Sequence, residues 1–456
     1  MRGEIDPGTS RVVAALNRVG QPQVALRGRC LHVAGTNGKG SVCAMMFAVC
    51  KHAGLRVGML TSPHLLEPLD AIYLAGSGKN LPIEPKMWRM LEDEVQKACC
   101  IGAGYASESA EVALTVFELQ VVTALLFFAR QQVDVAIIEV GMGGRDDATN
   151  VLLEPAACCI TSIALDHEKF LGPTHEEIAK HKAGIFQRGR PAFVATNGMS
   201  GSVQQVIAEI AHSVGAPLSW IPPADLGQSP SHGARPLAQF LQVKGFSHML
   251  QVPLLGDYQR SNAALALALL LELRSSKLPL KSRPEILEGQ LDDLTIVEGL
   301  KATAWPGRLD WRQLDDGRKI LLDGAHNPHA AKELGSYVAH FVRPQPVQWI
   351  IALSYGKDAK GILQELLQDE DSLIAVSFSK VEAMPWVRPE SPAELVKLAR
   401  EVRPTIRAKE AATFQEAIGE EVQNPASVKP QIVICGSLYL VADVIATLQS
   451  EAQWAC

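Results

Sequence analysis

Residues 32–42, which run His32-Val33-Ala34-Gly35-Thr36-Asn37-Gly38-Lys39-Gly40-Ser41-Val42, place a glycine-rich turn closing on a lysine and a hydroxyl between two apolar runs. Residues 29–34 predict a buried strand and residues 42–49 a helix, so the turn joins strand to helix, the context in which such a loop binds phosphate. Few architectures accept that arrangement. A strand apolar on both faces belongs in a parallel sheet covered by helices, and ligands bind at the carboxyl edge of such a sheet. Gly35, Gly38 and Gly40 let backbone N–H groups of the loop, Thr36 and Asn37 included, turn toward a nucleoside triphosphate. Lys39 can reach its β/γ-phosphates and Ser41 can ligate Mg²⁺. The loop is about two residues shorter than the common form and carries a glycine before the hydroxyl, so it is a variant. A plain glycine turn into a helix is the bland alternative, and the lysine, the hydroxyl and the strand–helix context weigh against it.

At 456 residues the chain exceeds one ordinary core and predicts two domains, 1–298 and 299–456. Hydrophobic residues make up 47% of it, enough for large cores. A net charge of −6 and a pI near 6.1 leave no broad basic field, which argues against nucleic acid or an anionic membrane as the main partner. Apolar runs are too short to span a bilayer or are interrupted, as residues 112–128 are by Glu118 and Gln120. Residues 1–10 lack a signal core and an arginine-rich amphipathic pattern. Nine cysteines form no CxxC pair and read as reduced core thiols, so the expected location is cytoplasmic, with a mitochondrial pool left open.

Further buried strands are predicted at residues 57–64, 133–140, 156–163 and 191–195, alternating with helical patterns at 117–130 and 174–185. Polar residues follow several of them: Ser62 with Pro63 and His64, Glu139 ahead of Gly141, Gly143, Gly144 and Arg145, and Asp166 with His167. Residues 217–253 predict a hairpin excursion before a helix at 261–273. Strands at 319–323, 347–353, 373–377 and 432–435 make the second domain α/β as well, with a mainly parallel sheet.

Each polar candidate has a bland counterpart. Glu139, a carboxylate ending a buried strand, needs a partner, and Mg²⁺ on a triphosphate would serve; the alternative is a loop cap or a pair with Arg145. His167 reads equally as a metal ligand or a loop donor. Lys182 lies in the last turn of its helix, where an exposed lysine complementing the helix dipole is the ordinary explanation. Arg308 could reach phosphate or pair with Asp310. Asp323 and His326 follow a strand, but Asn327-Pro328 also makes a plain helix entry.

Taken together and in order, residues 32–42, 61–65, 139–150, 166–172, 178–185, 256–262, 305–310, 322–328 and 436–443 resemble the folylpolyglutamate synthase and dihydrofolate synthase family of the Mur-ligase superfamily. The resemblance implies a Mur-ligase-like α/β fold: an N-terminal phosphate-loop domain with a mainly parallel sheet and a smaller, Rossmann-like C-terminal domain. It implies that Lys39 holds the β/γ-phosphates, that Ser62, Glu139 and His167 ligate Mg²⁺ with Ser41 in the same loop, and that Lys182 is carbamylated. The carbamate would offer oxygen to the metal where an ammonium would repel it. Asn262, Arg308 and Asp323 match positions that contact ATP, and His326 and Ser437 match positions proposed for glutamate binding or catalysis. Two Mg²⁺ ions, and potassium as a further cation, are what the family admits.

The implied reaction is ATP-dependent amide formation by a monomer on small molecules, through an acyl phosphate made from a pterin-borne carboxylate and displaced by L-glutamate. Closure of the second domain would exclude water. Residues 5–12, with Asp6, Gly8 and Arg11, resemble the segment contacting dihydropteroate in dihydrofolate synthases, and Thr115, Asp146, Asp147 and Ala148 match other pterin positions. Asn37 looks like the members with dihydrofolate synthase activity, and residues 164–172 and 384–387 resemble the fungal dihydrofolate synthases, which makes dihydropteroate the favoured acceptor. Pro7 and Thr9 replace the family's usual leucines, and residues 67–72 lack its usual arginine. A folylpolyglutamate synthase or bifunctional enzyme acting on folates is the alternative within the family. Outside it stand a P-loop ATPase or switch, which would need no Arg308, Asp323 or His326, and a cell-wall ligase, for which Gly35 lies too near the start.

Overall fold

Hydrophobic strands with glycine or proline at their ends and helices of matching length between them dictate alternation of strand and helix, and the chain carries it out twice. The computed structural model describes residues 8–81, 83–99, 113–227, 237–276, 287–381, 384, 386–419 and 429–454. It divides into one unit of Met1–His64, Pro68–Leu254 and Tyr258–Ala304, and a second of Leu65–Glu67, Leu255–Asp257 and Trp305–Cys456.

In the first unit the strands are β1 (Cys30–Ala34), β2 (Val57–Leu60), β3 (Ile72–Gly76), β4 (Lys79–Asn80), β5 (Val135–Glu139), β6 (Ala157–Ile160), β7 (Ala192–Ala195) and β8 (Leu218–Ile221). They form one sheet in the order β4-β3-β2-β5-β1-β6-β7-β8. From β2 to β8 all neighbours are parallel, and β3 and β4 add an antiparallel edge. β1 lies between β5 and β6, so the loop after it is flanked by the ends of both. The helix Lys39–His52 is apolar on all sides because it is covered on all sides: the helices Tyr258–Ser275 and Asp293–Lys301 pack on it. Capping boxes, Thr115 with Glu118 and Thr174 with Glu177, start the helices Val116–Arg130 and His175–Ala183.

Three expectations are corrected here. Residues 218–221 are not part of the excursion but the last strand of the main sheet; only β9 (Asp225–Leu226), β10 (Gln239–Gln242) and β11 (Leu250–Val252) form the separate antiparallel sheet. The phosphate-loop helix begins at Lys39, so lysine and serine sit in its first turn. A division after residue 298 would cut the helix Asp293–Lys301, where a Cβ on Gly299 would stand 2.6 Å from Val49 Cα. That close helix contact holds the stretch to the first unit as far as Ala304.

The second unit has β12 (Asp310–Gln313), β13 (Lys319–Leu322), β14 (Val347–Ile351), β15 (Ser372–Ala375), β16 (Arg407–Glu410) and β17 (Gln431–Cys435), ordered β12-β13-β17-β14-β15-β16. Only β12 is antiparallel to its neighbour. β12 and β16 escape sequence reading because both are polar edge strands, defined by the partner they pair with and not by an apolar run. Asp371, buried before β15, accepts from Arg343 at 3.0 and 2.8 Å, Trp349 Nε1 at 3.0 Å and the amides of Val347 and Gln368 at 3.1 and 3.0 Å. Asp371→Ala strands this part-buried guanidinium and the Trp349 and amide donors, and is expected to cost about 2–4 kcal/mol, measured by denaturant unfolding. An effect below 1 kcal/mol would mean the network is dispensable.

Candidate active site

Between β1 and its helix the chain turns through Gly35 (φ 148°) and Gly38 (φ 92°), backbone conformations that disfavour side chains. Space demands glycine as well. A Cβ on Gly35 would fall 1.8 Å from Thr161 Oγ1, and one on Gly38 would fall 2.5 Å from Asn262 Oδ1. The loop is strapped to the stretch that follows β6. Thr36 N donates to Ser162 O at 2.8 Å and Asn37 N to Ser162 Oγ at 2.9 Å, while Thr161 Oγ1 and Ser162 Oγ donate to Asn37 O at 2.7 and 3.0 Å. Thr36 Oγ1 exchanges hydrogen bonds with the backbone of Ala164 at 3.1 Å.

Two lysines meet on one carbonyl. Lys39 Nζ donates to Gly35 O at 3.1 Å and Thr36 O at 3.2 Å, and Lys182 Nζ donates to Gly35 O at 2.8 Å. Lys182 is only 4% exposed, so its reading as an exposed lysine serving the helix dipole is overturned. The last turn of its helix faces inward, against the phosphate loop. Burial first, then the neighbouring Lys39 charge, pull its pKa down to about 7, with Asp166 and Asp147 opposing. The second cation at this spot therefore carries its proton weakly.

Glu139, the last residue of β5, is buried; its Oε2 accepts from Ser62 N at 3.3 Å and its Oε1 stands 3.9 Å from Lys39 Nζ. Ser41 is buried too, and its Oγ accepts from Gln259 Nε2 at 3.3 Å, whose Oε1 accepts from Asn262 Nδ2 at 2.8 Å. Gln259 went unassigned at the level of sequence. Its signal was a pair of amides, Gln259 and Asn262, three apart on a helix otherwise rich in Ala and Leu. The expected metal ligands are thus partly assembled: Ser41, Ser62 and Glu139 lie around the loop with hard oxygen chemistry, a donor set that fits Mg²⁺. His167 is exposed on a left-handed turn (φ 54°), with its ring 4.0 Å from Asp166 Oδ2. Among the described residues no three His, Cys, Asp or Glu side chains gather as a metal site.

The expected pterin residues lie on the N-terminal segment, at Thr115 and in the loop after β5. Gly8 N donates to Asp146 O at 2.9 Å, and Asp146 takes Arg145 at 2.8 and 3.0 Å and lies 3.6 Å from His181 Nδ1. Arg11 and Thr115 are both held by Glu118. Ala148 is buried. Asp147 departs from expectation: its carboxylate accepts from Met142 N at 2.8 Å, Thr149 N at 2.9 Å and Thr149 Oγ1 at 2.5 Å, inside its own loop. Its oxygens shape the glycine loop, and burial raises its pKa despite these donors. His32 Nε2, 2.9 Å from Thr149 Oγ1, backs the arrangement from β1, and burial pushes that imidazole down to about 3. Asp6 lies outside the described residues.

In the second unit Asp323 directly follows β13, its two oxygens accepting from Leu309 N at 2.9 Å and Ala325 N at 2.8 Å; burial raises its pKa against the pull of Arg308. Arg308 Nη1 donates to Gly307 O at 2.9 Å, and Asp310, its bland partner, pairs instead with Arg312 at 2.9 Å. His326 Nδ1 is 2.9 Å from Gly324 O, and Asn327 caps the helix Pro328–Phe341, so the helix-entry reading and a site at this strand end are compatible. Ser437 follows β17 and accepts from Tyr439 N at 3.1 Å. A Cβ on Gly436 would stand 2.5 Å from Ala352 O, so the ends of β17 and β14 abut.

A phosphate loop on a mainly parallel sheet, followed by a second α/β unit, defines a class, and residues 33–270 match the profile of the Mur ligase middle domain. Residues 308–447 match the dihydrofolate synthetase C-terminal domain. The probable dihydrofolate synthetase of Schizosaccharomyces pombe is 33% identical over 452 residues, covering 98% of this chain and 99% of that one. FolC of Escherichia coli, solved in complex with DHPP and ADP, superposes with a TM-score of 0.76 at 26% identity, over 98% of this chain and 94% of that one. The bifunctional folylpolyglutamate synthase/dihydrofolate synthase of Yersinia pestis, complexed with AMPPNP and Mn, gives 0.73 at 29% identity, over 98% and 94%. The chain belongs to the dihydrofolate synthase and folylpolyglutamate synthase family of Mur ligases.

Proposed function

We propose that the protein is a dihydrofolate synthase, which joins L-glutamate to the carboxylate of 7,8-dihydropteroate and converts ATP to ADP and phosphate. The observation that carries the reading is the meeting of Lys39, Lys182 and buried Glu139 around the Gly35 loop. Lys39 brings a cation to the loop that Glu139 meets only at 3.9 Å, and a triphosphate supplies a closer anion. The acceptor carboxylate attacks the γ-phosphorus, the bond to the β–γ bridging oxygen breaks, and an acyl phosphate forms. The neutral amine of glutamate then attacks the acyl carbon, phosphate leaves with the C–O electron pair, and the amine proton passes to solvent. Lys39 binds phosphoryl oxygens, and the straps from residues 161–164, which take up the N–H groups of Thr36 and Asn37, fix the loop's shape, so charge developing on the transferred group meets a preset cation. Arg308 is assigned to ATP by the resemblance.

Mg²⁺ would supply charge neutralisation at the phosphoryl oxygens. Ser41, Ser62 and Glu139 would hold it, with His167, and Lys182 would join them once carbamylated. A pKa near 7 supports that last assignment, because only the neutral amine adds to CO₂. Asn262, Thr36, Asn37 and Asp323 serve ATP, His326 and Ser437 serve glutamate, and Gly8, Arg11, Thr115 and Asp146 serve the pterin. We infer a cytoplasmic monomer working on small molecules. The seven described cysteines are buried and form no disulfide, and no described helix is long and apolar enough to cross a membrane.

Phosphate release with Mg-ATP and glutamate tests the acceptor. Release with dihydropteroate and not with tetrahydrofolate is the expected result. Release with tetrahydrofolate alone would make the protein a folylpolyglutamate synthase, release with both a bifunctional enzyme, and release needing neither acceptor an ATPase.

A further inference from the structure

Glu118 is a buried carboxylate, 3% exposed, in the first turn of an otherwise apolar helix, and no step above uses it. Its Oε2 accepts from Thr115 N at 2.7 Å, and Thr115 Oγ1 accepts from Glu118 N at 3.2 Å. A capping box explains those two bonds, but it asks only for a Glu or Gln at this position, and it forms readily at exposed helix starts. Capping does not explain the rest. Arg11, 107 positions away, donates Nε to both oxygens at 3.1 and 3.2 Å and Nη2 to Oε1 at 2.7 Å. One carboxylate therefore ties the helix Ser10–Arg18 to Thr115. Val12, Ala15 and Leu16 of that helix share a core with Leu119 and Val122, and Gly8 pins the same segment to Asp146 at 2.9 Å.

Arg11 and Thr115, which this carboxylate joins, and Asp146, which Gly8 meets, are residues the proposed function gives to the pterin. We propose that Glu118 is a positioning residue for the acceptor: without touching it, Glu118 fixes Arg11 and the N-terminal helix against Thr115 and so selects dihydropteroate over folates that already carry glutamate. The inference rests on the acceptor reading above. The physical ground is that a fork-shaped guanidinium on a buried carboxylate has one orientation, whereas the same arginine without its partner samples many.

Glu118→Gln in the full chain tests it, since glutamine keeps the capping role and removes the charge pair. Loss of a charge-assisted pair of this kind is expected to raise the KM for dihydropteroate about tenfold or more. The kcat and the KM for ATP should stay within about twofold, and the preference for dihydropteroate over tetrahydrofolate should shrink in step. Arg11→Gln should reproduce the shift, and the double variant should add nothing to it. Loosening of the fold would instead raise both KM values together. An unchanged acceptor KM, or a parallel rise in the KM for ATP, overturns the proposal. Should Glu118→Gln fail to fold, Arg11→Lys, which keeps the charge and loses the fork, must give the same selective rise. A wild-type protein inactive with dihydropteroate sinks the acceptor reading and this inference with it, whereas an active wild type with an indifferent variant sinks only the positioning role.

Discussion

Lys182→Met abolishes ligation and stabilises the fold. The activity loss is expected to reach about a thousandfold, because the substitution removes the side chain proposed to complete the metal site and leaves charge on the phosphoryl group unmatched. Stability moves the other way. Folding at neutral pH forces a lysine with an ordinary pKa of 10.5 into a site where it falls to about 7. Methionine escapes that burial cost, which is on the order of a few kcal/mol. Gly35 O loses one donor but keeps Lys39 at 3.1 Å. The sign is set by proton counts: between about pH 7 and 10.5 the unfolded chain binds the extra proton, so wild-type stability rises with pH across that window and the gap to Lys182→Met closes. Thermal melts of both proteins in metal- and bicarbonate-free buffer measure this. A variant less stable than wild type, with no pH dependence in the difference, would show that the lysine is charged and well paired. ¹³C NMR in labelled bicarbonate reads the carbamate, and its absence from a fully active enzyme would remove that assignment.

Gly35→Ala is expected to eliminate nucleotide binding. The new Cβ would lie 1.8 Å from Thr161 Oγ1 at a φ of 148°, so either the loop or the 161–164 strap must move. Displacing that strap breaks the hydrogen bonds that hold Thr36 and Asn37 in place. The expected loss is at least about a hundredfold in ATP affinity, with destabilisation of about 2–4 kcal/mol. Calorimetric titration with a non-hydrolysable ATP analogue measures the affinity. Adding Thr161→Ala removes the Oγ1 collision but not the backbone strain, so partial recovery is expected. Wild-type affinity in the single variant would mean that the loop has slack this geometry does not show.

Part of the candidate site was legible before the fold was known. Lys39, Ser41 and Glu139 were singled out because each combines an unusual residue type with a position at the end of an apolar strand or the start of a helix. Lys182 was misjudged from residues alone, since a lysine in the last turn of a helix faces solvent in most proteins and nothing in residues 178–185 says which side is covered. Burial of the side chain, with its amine on Gly35 O, overturns that reading. Thr161, Ser162 and Glu118 act through partners far away in the chain, so no local pattern marks those roles, and Gln259 is marked only by its three-residue spacing from Asn262. Glu118 was noticed only as an interruption of an apolar run, and Arg11, 107 residues earlier, gives that interruption its meaning.

The amino-acid sequence by itself determined the alternation of strands and helices, the parallel character of both sheets and the phosphate loop, because periodicity, glycine placement and continuous apolar runs are local and act before any distant contact forms. Tertiary structure alone decided the polar edge strands β12 and β16, the attachment of residues 299–304 to the first unit, the inward turn of Lys182 and the pairing of Arg11 with Glu118. Those outcomes depend on which surfaces lose water and which charges then meet, and burial is a property of the packed chain, not of any segment of it.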